Sequence, residues 1–207
     1  MGAIGARQNC TCPLAISCAQ IIAEHPSLRI VTIVLIGTSS RVILHEAMII
    51  RSATDRDRDT IWQILEPMIR DGDTYPLPRD MNRTEGLAYW FAEGHRVFVA
   101  DENDSVLGTY YLRANLLGGG AHVANCGYVT APAARGRGVA RAMCRHSLAQ
   151  AKAQGFRAMQ FNFVVSTNER AVRLWQDFGF AIVGRLPEVF HHPERGYVDA
   201  LVMIRSL

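Results

Sequence analysis

Residues 133–140 place two arginines among two glycines, a combination suited to binding a phosphate group. A strand-like run over residues 121–129 ends just before this segment, and a helical pattern from Gly138 to Gln154 begins inside it. Glycine lets the backbone turn tightly and approach a ligand closely, while the free N–H groups and the positive dipole at the start of a helix attract anions. Arg135 and Arg137 add full charges that match phosphate oxygens. The segment therefore predicts a pyrophosphate-binding loop.

This loop lacks the Lys-Ser/Thr ending of a nucleoside-triphosphate loop and the three-glycine fingerprint of a dinucleotide site. An Arg/Gly-rich surface turn that caps an ordinary helix explains the loop equally well, because a short glycine-rich match is weak. The loop resembles the acyl-CoA loop of the GNAT family of N-acetyltransferases, whose pattern is Gln or Arg, two residues, Gly, one residue, then Gly or Ala. The resemblance implies acetyl-CoA as the co-substrate, with its adenosine phosphates on Arg135, Gly136, Arg137, Gly138, Val139 and Ala140.

Residues 166–180 carry a second motif, which resembles the closing signature of the same family. The matching residues are Asn168, Ala171, Leu174, Trp175, Gly179 and Phe180. Two motifs in this order, each after a strand, are much more specific than either alone. The resemblance spans roughly residues 48–207 and implies that Asn168 binds the pantetheine arm of the cofactor. On the alternative interpretation, Asn168 is only a helix cap and the apolar members are core contacts.

The resemblance also predicts an opening in the sheet. In the family, the strand that ends near Val129 and the strand that starts near Ala158 separate beyond the phosphate end, which leaves backbone groups around Val129 and Thr130 unpaired. Such groups must find partners, and an amide-like pantetheine arm supplies them much as a peptide adds to a sheet edge. Val129 and Thr130 are therefore expected to contact the cofactor.

Trp175 departs from the family pattern. Many members carry tyrosine at this place, where its hydroxyl can protonate the departing thiolate. An indole N–H is a poor acid, so a tyrosine-acid mechanism at this position is excluded. Tyr128 or a water molecule remains as the proton donor.

Asn125 and Asn162 are the predicted catalytic residues. Residues 71–80, 123–128 and 161–168 resemble the fungal acetyltransferases that detoxify azetidine-2-carboxylate and other proline analogues, and two strand-borne asparagines that serve substrate recognition and catalysis in that group match Asn125 and Asn162. Asparagine is depleted in strands and costly when buried without partners. Each side chain could hold a carboxylate or an amine, or stabilise the oxyanion of a tetrahedral intermediate. Alternatively, each pairs with backbone at a bulge or at the opening itself.

These residues together predict an acetyl-CoA-dependent N-acetyltransferase. The acceptor would be the amine of a small molecule, such as an amino acid or proline analogue, attacking directly through a tetrahedral intermediate. Candidate bases for the amine are His122, Glu188, His191 and His192, whereas a covalent relay through Cys126 lacks a histidine partner at a readable spacing. The alternatives are a protein N-terminal or lysine acetyltransferase and a non-catalytic acyl-CoA-binding sensor.

Composition excludes several other classes. The net charge of +3 over 207 residues is too small to indicate a nucleic-acid partner, and no apolar run approaches the ~20 residues that span a bilayer. Cys10, Cys12 and Cys18 lack a second Cys/His cluster at zinc spacing, so no metal site is predicted. Cys126 and Cys144 are typical of buried reduced thiols. A cytoplasmic protein fits this cysteine usage.

The elements that position these residues follow the order strand, two helices, three strands, helix, strand, helix, two strands. This is the element order of the GNAT fold, an α/β (α+β) architecture with a mixed central sheet of about seven strands and helices on both faces. The second helix is predicted over Glu85–Glu93, and the last two strands are joined across His191-His192-Pro193. The last strands often pair between protomers in this family, which implies a homodimer.

Residues 48–207 are predicted to form the acetyltransferase domain. Residues 1–47 show scattered apolar residues without a clear period, and we interpret them as an extension that the fold does not need. Translation from upstream of a true start at Met48 would account for such a segment.

Overall fold

The computed structural model describes residues 48–207, in which four α-helices and seven strands follow one another in the predicted order. The strands are β1 (Ile49–Ser52), β2 (Arg96–Glu102), β3 (Ser105–Ala114), β4 (Val123–Thr130), β5 (Ala158–Val165), β6 (Ala181–His192) and β7 (Gly196–Ser206). The helices are α1 (Arg58–Asp71), α2 (Arg83–Trp90), α3 (Val139–Ala153) and α4 (Glu169–Asp177). The extension predicted over residues 1–47 lies outside the described residues, as do Cys10, Cys12 and Cys18.

One mixed sheet contains all seven strands, in the order β1-β2-β3-β4-β5-β7-β6. Neighbouring strands are antiparallel except β4 and β5, which run parallel. Parallel neighbours require a crossover connection, and α3 provides it. The predicted mixed sheet of about seven strands is confirmed.

Helices cover both faces of this sheet, because successive residues of a strand point to opposite faces. On one face, Tyr110 of β3 belongs to a core with Met143 of α3 and Trp175 of α4. On the other face, Tyr111 packs edge-on against Trp90 of α2, in a core that also contains α1. Burying each large apolar side chain contributes about 1.5–3 kcal/mol. The predicted arrangement of helices on both faces is confirmed.

Local signals at the helix ends account for their bounds. The prediction for α2 is displaced by two to three residues, because Asn82 rather than a later residue starts the helix. The Asn82 side chain accepts from the Glu85 N–H at 3.1 Å and the Glu85 carboxylate accepts from the Asn82 N–H at 2.9 Å, which is a capping box. Gly155 and Gly179, with φ of 82° and 80°, follow α3 and α4 as predicted.

The last hairpin is longer than predicted, and the prediction of a turn at His191-His192-Pro193 is wrong. His191 pairs with Tyr197 and His192 with Gly196 inside the β6–β7 ladder, so the turn lies at residues 193–195. The register of β6 shifts between Leu186 and Phe190. This irregularity breaks the alternation of apolar residues, which is why the sequence pattern ends before the strand does.

Candidate active site

The loop between β4 and α3 forms part of the wall of a groove of about 870 Å³. Gly136 and Gly138 adopt φ of 81° and 80°, a conformation that favours glycine. A Cβ added at either glycine would have no atom within 4 Å, so the space over the loop is open to a ligand. The helix α3 begins immediately afterwards at Val139, and its first N–H groups have no partner within the helix. These features fit a bound diphosphate.

Most of the predicted cofactor-binding residues border this groove. They are Thr130, Arg135, Gly136, Gly138, Val139, Ala140 and Asn168. The Arg135 side chain forms no ion pair with any acidic residue among residues 48–207, so its charge is available to a ligand. Val139 is buried and packs into the core. The contribution of Val139 to an anion site is therefore its backbone N–H.

Two predicted cofactor contacts do not border the groove. The guanidinium of Arg137 pairs instead with the carboxylate of Glu102, at the end of β2. This ion pair competes with a phosphate for the charge of Arg137, and the predicted contact of Arg137 with phosphate stays a prediction. The buried side chain of Val129 belongs to the core with α1 and α2. Val129 borders a smaller cavity of about 160 Å³, together with Thr130 and Arg135.

The sheet opens between β4 and β5, where the resemblance places the opening. These strands pair only at their first two positions, Val123 with Ala158 and Ala124 with Met159. Beyond these two pairs, a side-chain hydrogen bond links the two strands. The Nδ2 of Asn125 donates to the backbone carbonyl of Gln160 at 2.8 Å.

A loop side chain meets the next part of the β4 backbone. The hydroxyl of Tyr75 donates to the carbonyl oxygen of Tyr128 at 3.3 Å. Tyr75 lies in the loop between α1 and α2, on the side of the sheet that those helices cover. The opening is therefore bordered by backbone of β4, backbone of β5 and an aromatic side chain from this loop.

Asn168 stands at the start of α4 and caps it. Its Oδ1 accepts from the Ala171 N–H at 3.2 Å, so Asn168 does cap the helix. Asn168 also borders the groove, and capping occupies only the oxygen of its amide. The predicted contact of Asn168 with the pantetheine arm is compatible with this geometry and stays a prediction.

A second cavity, of about 240 Å³, lies at the opening of the sheet. It shares with the groove the residues Thr74, Tyr128, Asn168, Ala171 and Trp175. Its other lining residues include the aromatic Tyr75, Tyr89, Tyr111, Phe161 and Phe163 and the polar Arg113, Asn125 and Asn162. A ligand that extends from the groove past Asn168 and Trp175 reaches this cavity. We call it the acceptor cavity.

Both predicted catalytic asparagines line the acceptor cavity, but their contacts differ. Asn125 is buried and bonds to backbone at the opening, as the alternative interpretation described. Asn162 is exposed and lies at the irregularity of β5, where its Nδ2 donates to Asn115 Oδ1 at 2.6 Å and its Oδ1 accepts from Gln160 Nε2 at 2.9 Å. The amide of Asn162 is thus held by side chains. Its catalytic role, like that of Asn125, stays a prediction.

Gly127 shapes the acceptor cavity, a role that sequence reasoning missed. A Cβ at this position would lie 2.6 Å from the ring of Tyr111 and 2.8 Å from the hydroxyl of Tyr75. Only glycine lets these two rings lie against β4. An isolated glycine within a strand often marks such a close approach, so the sequence did carry this signal.

None of the four predicted bases lines the acceptor cavity. His122 is exposed and bonds to the Gly119 carbonyl at 3.0 Å, and Glu188 is exposed on β6. His191 packs against Tyr197, and His192 accepts from the Glu194 N–H at 3.1 Å. Among residues 48–207, no Asp, Glu or His lines this cavity. The described part of the chain therefore places no side-chain base beside an acceptor in the cavity.

Tyr128 is poorly suited to protonate a thiolate. The Tyr128 hydroxyl lies 2.6 Å from the Ser147 hydroxyl, where either oxygen can be the donor, and 3.7 Å from the sulfur of Met159, a further acceptor for its hydrogen. Burial raises the pKa of Tyr128 well above its usual range. A phenol with a raised pKa is a weaker acid, and its hydrogen is already engaged.

Cys126 also lines the cavity, and its chemistry opposes a covalent relay. Burial raises the pKa of its thiol to about 12, and the thiolate, not the thiol, is the nucleophile. Cys126 and Cys144 are both free and buried, as predicted.

Two further properties concern the described residues as a whole. Within residues 48–207, no three His, Cys, Asp or Glu side chains are grouped so that they could hold a metal ion. None of the helices there combines the length and the apolar character needed to cross a bilayer.

Comparison with known proteins agrees with this geometry. Residues 59–180 match the acetyltransferase (GNAT) family. The N-acetyltransferase aca1 of Schizosaccharomyces pombe is 28% identical over 160 residues, which are 69% of this chain and 77% of the relative. A GCN5-related N-acetyltransferase from Kribbella flavida is 41% identical with a TM-score of 0.74, and the alignment covers 78% of this chain and 98% of that chain.

A more distant solved structure shares the fold. The acetyltransferase yncA from Salmonella typhimurium, solved with its cofactor acetyl-CoA, is 23% identical with a TM-score of 0.69. The alignment covers 78% of this chain and 95% of yncA.

Proposed function

The chain belongs to the acetyltransferase (GNAT) family and is an N-acetyltransferase with acetyl-CoA as its co-substrate, and we propose that its acceptor is the amine of a small molecule. The observation that carries this proposal is the acceptor cavity of about 240 Å³ at the opening of the sheet, joined to the groove beside the phosphate loop. Small-ligand pockets typically measure about 300–1,000 Å³. A cavity at or below the lower end of this range suits a compact acceptor.

The residues of the chain divide into those that hold the cofactor and those that face the acceptor. When bound, acetyl-CoA supplies an acyl group activated as a thioester. Arg135 and the backbone N–H groups at the start of α3 hold its phosphates, and Thr130 and Asn168 border the arm between groove and cavity. The wall formed by Tyr128 and Trp175 lies where groove and cavity meet.

The chemical step is a direct attack. The amine nitrogen forms a bond to the thioester carbon and the carbon–sulfur bond breaks, through a tetrahedral intermediate. The Nδ2 of Asn162 carries two hydrogens: one is donated to Asn115, and the second stabilises the oxyanion. The amine loses its proton to solvent, since no Asp, Glu or His among residues 48–207 lines the cavity. Solvent also protonates the thiolate, because the hydroxyl of Tyr128 is already hydrogen-bonded to Ser147.

A protein acetyltransferase is the alternative within the same fold. Such an enzyme needs an open groove, lined by acids or aromatic residues, that admits a peptide. The acceptor cavity has aromatic walls but, among the described residues, no acidic one. Its size and charge therefore favour a small molecule over a peptide amine or a lysine side chain.

Time-resolved release of free CoA tests the proposal. The full-length protein would be assayed with acetyl-CoA and a panel of amino acids, cyclic imino acids, aromatic amines, polyamines and short peptides. We expect turnover with one class of small amine and little with peptides. Preference for peptides would overturn the small-molecule proposal. Binding of acetyl-CoA without turnover of any amine would support an acyl-CoA sensor.

The predicted homodimer is a further part of the proposal. The edge strand β6 exposes Ile182, Val183 and Val189 at 43%, 61% and 48%, and an unpaired apolar edge is a ready template for pairing with another chain. A second copy of this chain is the occupant that the family resemblance implies. Sedimentation equilibrium of the purified protein should give twice the monomer mass, and a monomer at micromolar concentration would contradict it.

A further inference from the structure

We propose that Arg113 binds a carboxylate of the acceptor, so that the substrate is an amino or imino acid with a free carboxyl group. This inference rests on the proposed function and narrows it to one substrate class. The residue lies on β3, three positions before Leu116 in the loop that leads to β4, and its side chain lines the acceptor cavity.

The position of Arg113 follows from the register of the sheet. Arg113 is paired with Asn125 across β3 and β4, so the two side chains stand next to each other on one face. Tyr111 stands on that same face two residues earlier, over Gly127. The arginine therefore has an asparagine on the neighbouring strand and a tyrosine ring beside it on its own strand.

The charge of Arg113 has no acidic partner among the described residues. Its guanidinium NH1 donates to the carbonyls of Ala114 and Asn115, at 3.2 and 3.4 Å. None of the ion pairs formed within residues 48–207 involves Arg113, although nine ion pairs engage other arginines. Two backbone contacts thus orient a half-buried cation whose charge stays uncompensated. Withdrawing a charge from water is costly unless it is paired.

A carboxylate is the ligand that best completes this environment. The planar guanidinium fork matches two carboxylate oxygens, and such charge-assisted hydrogen bonds are roughly twice as strong as neutral ones. Among residues 48–207, Arg113 is the one charged residue that lines the cavity, so the charge facing an acceptor there is positive. This field favours an anionic acceptor and disfavours polyamines and lysine side chains. The walls of Tyr89, Tyr111 and Phe161 suit the carbon skeleton of the same molecule.

Asn115 connects this anchor to the predicted catalytic amide. Its backbone carbonyl accepts from Arg113, and its side-chain oxygen accepts from Asn162. Asn115 is buried, so it is a positioning residue for both groups. In a substrate whose amine and carboxylate are attached to one carbon, the carboxylate can bind Arg113 while the reacting amine lies near Asn162.

The test compares free acids with their primary amides. L-proline, L-azetidine-2-carboxylate and L-leucine would be assayed beside the corresponding amides, in the wild-type protein and in Arg113→Gln, Arg113→Lys and Arg145→Gln. Each amide keeps the amine and the carbon skeleton and removes the negative charge. Arg145 is exposed on α3 and lines neither the groove nor the acceptor cavity, so it is the matched control.

For each protein we take the ratio of kcat/KM for the acid to kcat/KM for the amide. The wild-type ratio is then divided by the ratio of the variant. This double ratio cancels the different amine pKa values of acids and amides. We expect Arg113→Gln to lower the acid preference by about 10²-fold, the size expected for losing a hydrogen-bonded charge. Arg113→Lys should recover part of the preference, and Arg145→Gln should leave it unchanged. The Kd of acetyl-CoA should stay the same in all three variants.

Distinct outcomes overturn the anchor and the proposed function. If wild-type protein acetylates neutral or cationic amines but no free acid, or if Arg113→Gln keeps the acid-to-amide ratio of the wild type, the anchor is wrong while the function stands. If no amine of any class is turned over, both are wrong. Should Arg113→Gln fail to fold, the acid-to-amide ratio of Arg113→Lys relative to wild type tests the anchor instead.

Discussion

Arg135 and Arg137 are separated by one residue in the phosphate loop and meet different surroundings. Arg135 borders the groove and pairs with no acid of residues 48–207, whereas Arg137 pairs with Glu102. A charge that is already neutralised by a carboxylate has little left to offer a phosphate. The two arginines therefore provide a matched pair for measuring the electrostatics of the loop.

Arg135→Ala should weaken acetyl-CoA binding while Arg137→Ala should not. We expect the Kd to rise about 10-fold for Arg135→Ala, because one charge-assisted contact in a partly exposed site is lost. For Arg137→Ala the Kd should change less than about twofold, since a surface ion pair contributes about 0–1 kcal/mol to stability and nothing to the ligand. Isothermal titration calorimetry with acetyl-CoA measures both. Equal weakening by the two variants would contradict the assignment.

Asn162 and Asn125 provide a second comparison, between chemistry and structure. Asn162→Ala should lower kcat by about 10²-fold, the usual effect of removing one oxyanion donor, with an unchanged Kd for acetyl-CoA. Asn125→Ala should instead lower the free energy of unfolding by about 1–3 kcal/mol, because the Gln160 carbonyl loses its partner at the opening. Steady-state kinetics measures kcat and urea denaturation measures the free energy of unfolding, so the two experiments on both variants separate the effects. Normal turnover in Asn162→Ala would remove this residue from the site.

At the scale of elements, the site depends on where two strands stop pairing. Beyond Met159 the ladder between β4 and β5 ends; Asn125 then bonds across to the backbone of β5, and Tyr75 bonds to the backbone of β4. The acceptor cavity and the groove meet there. Specific hydrogen bonds therefore stabilise the opening. An extended ligand can lie along the free edge of β4.

The sequence predicted the features that depend on neighbouring residues, and it did not predict the contacts that depend on strand register. The element order followed from apolar periodicity and from glycines such as Gly155 and Gly179, and the phosphate loop followed from adjacent residues. The ion pair of Arg137 joins residues 35 apart, and the bond from Asn162 to Asn115 joins residues 47 apart. No local pattern encodes which of these partners meet. The same limit concealed Arg113, which reaches the cavity through its register with Asn125.

A partly buried ion network joins β1 and β2 to the start of α1. The guanidinium of Arg51 on β1 donates to both carboxylate oxygens of Asp57, each at 2.8 Å, and to Asp101 on β2 at 2.9 Å. The backbone N–H of Thr54 adds a bond to Asp57 at 2.7 Å. The hydrogen bond from Arg51 is the main cause that lowers the pKa of Asp57 to about 2.

This network predicts a specific pH dependence of stability. Because the pKa of Asp57 is lower in the folded than in the unfolded protein, its stabilising contribution is complete above pH about 4 and is lost as pH falls towards 2. Asp57→Asn should reduce the free energy of unfolding at pH 7 by about 2 kcal/mol. The difference from wild type should stay constant from pH 7 to 4 and narrow below.

Urea denaturation at pH 7, 5, 4 and 3 measures this difference. The control is Asp55→Asn, which removes only an exposed ion pair with Arg58 and should change stability little at any of these pH values. A difference for Asp57→Asn that stays constant down to pH 3 would show that the carboxylate charge is not what holds the three elements together.

At the scale of the whole molecule, the described residues contain a complete two-sided architecture. One helix layer (α1 and α2) covers one face of the sheet and the other (α3 and α4) covers the opposite face. The edge strand β1 is paired with β2 along its full length, from Ile49 to Ser52. The groove, the opening and the acceptor cavity are all lined by residues between Met68 and Asp177.

This completeness leads to the prediction that residues 48–207 suffice for folding and catalysis. The family match begins at residue 59, and 98% of the Kribbella flavida chain aligns with 78% of this one. A protein that starts at Met48 should keep kcat/KM within about twofold and its melting temperature within about 4 °C of full length, since a shift of that size corresponds to only about 1–2 kcal/mol. Differential scanning calorimetry and the CoA-release assay on both lengths provide the comparison. Insolubility or loss of activity on removing residues 1–47 would show that the extension belongs to the working domain, and a shorter cut that restores activity would locate the segment responsible.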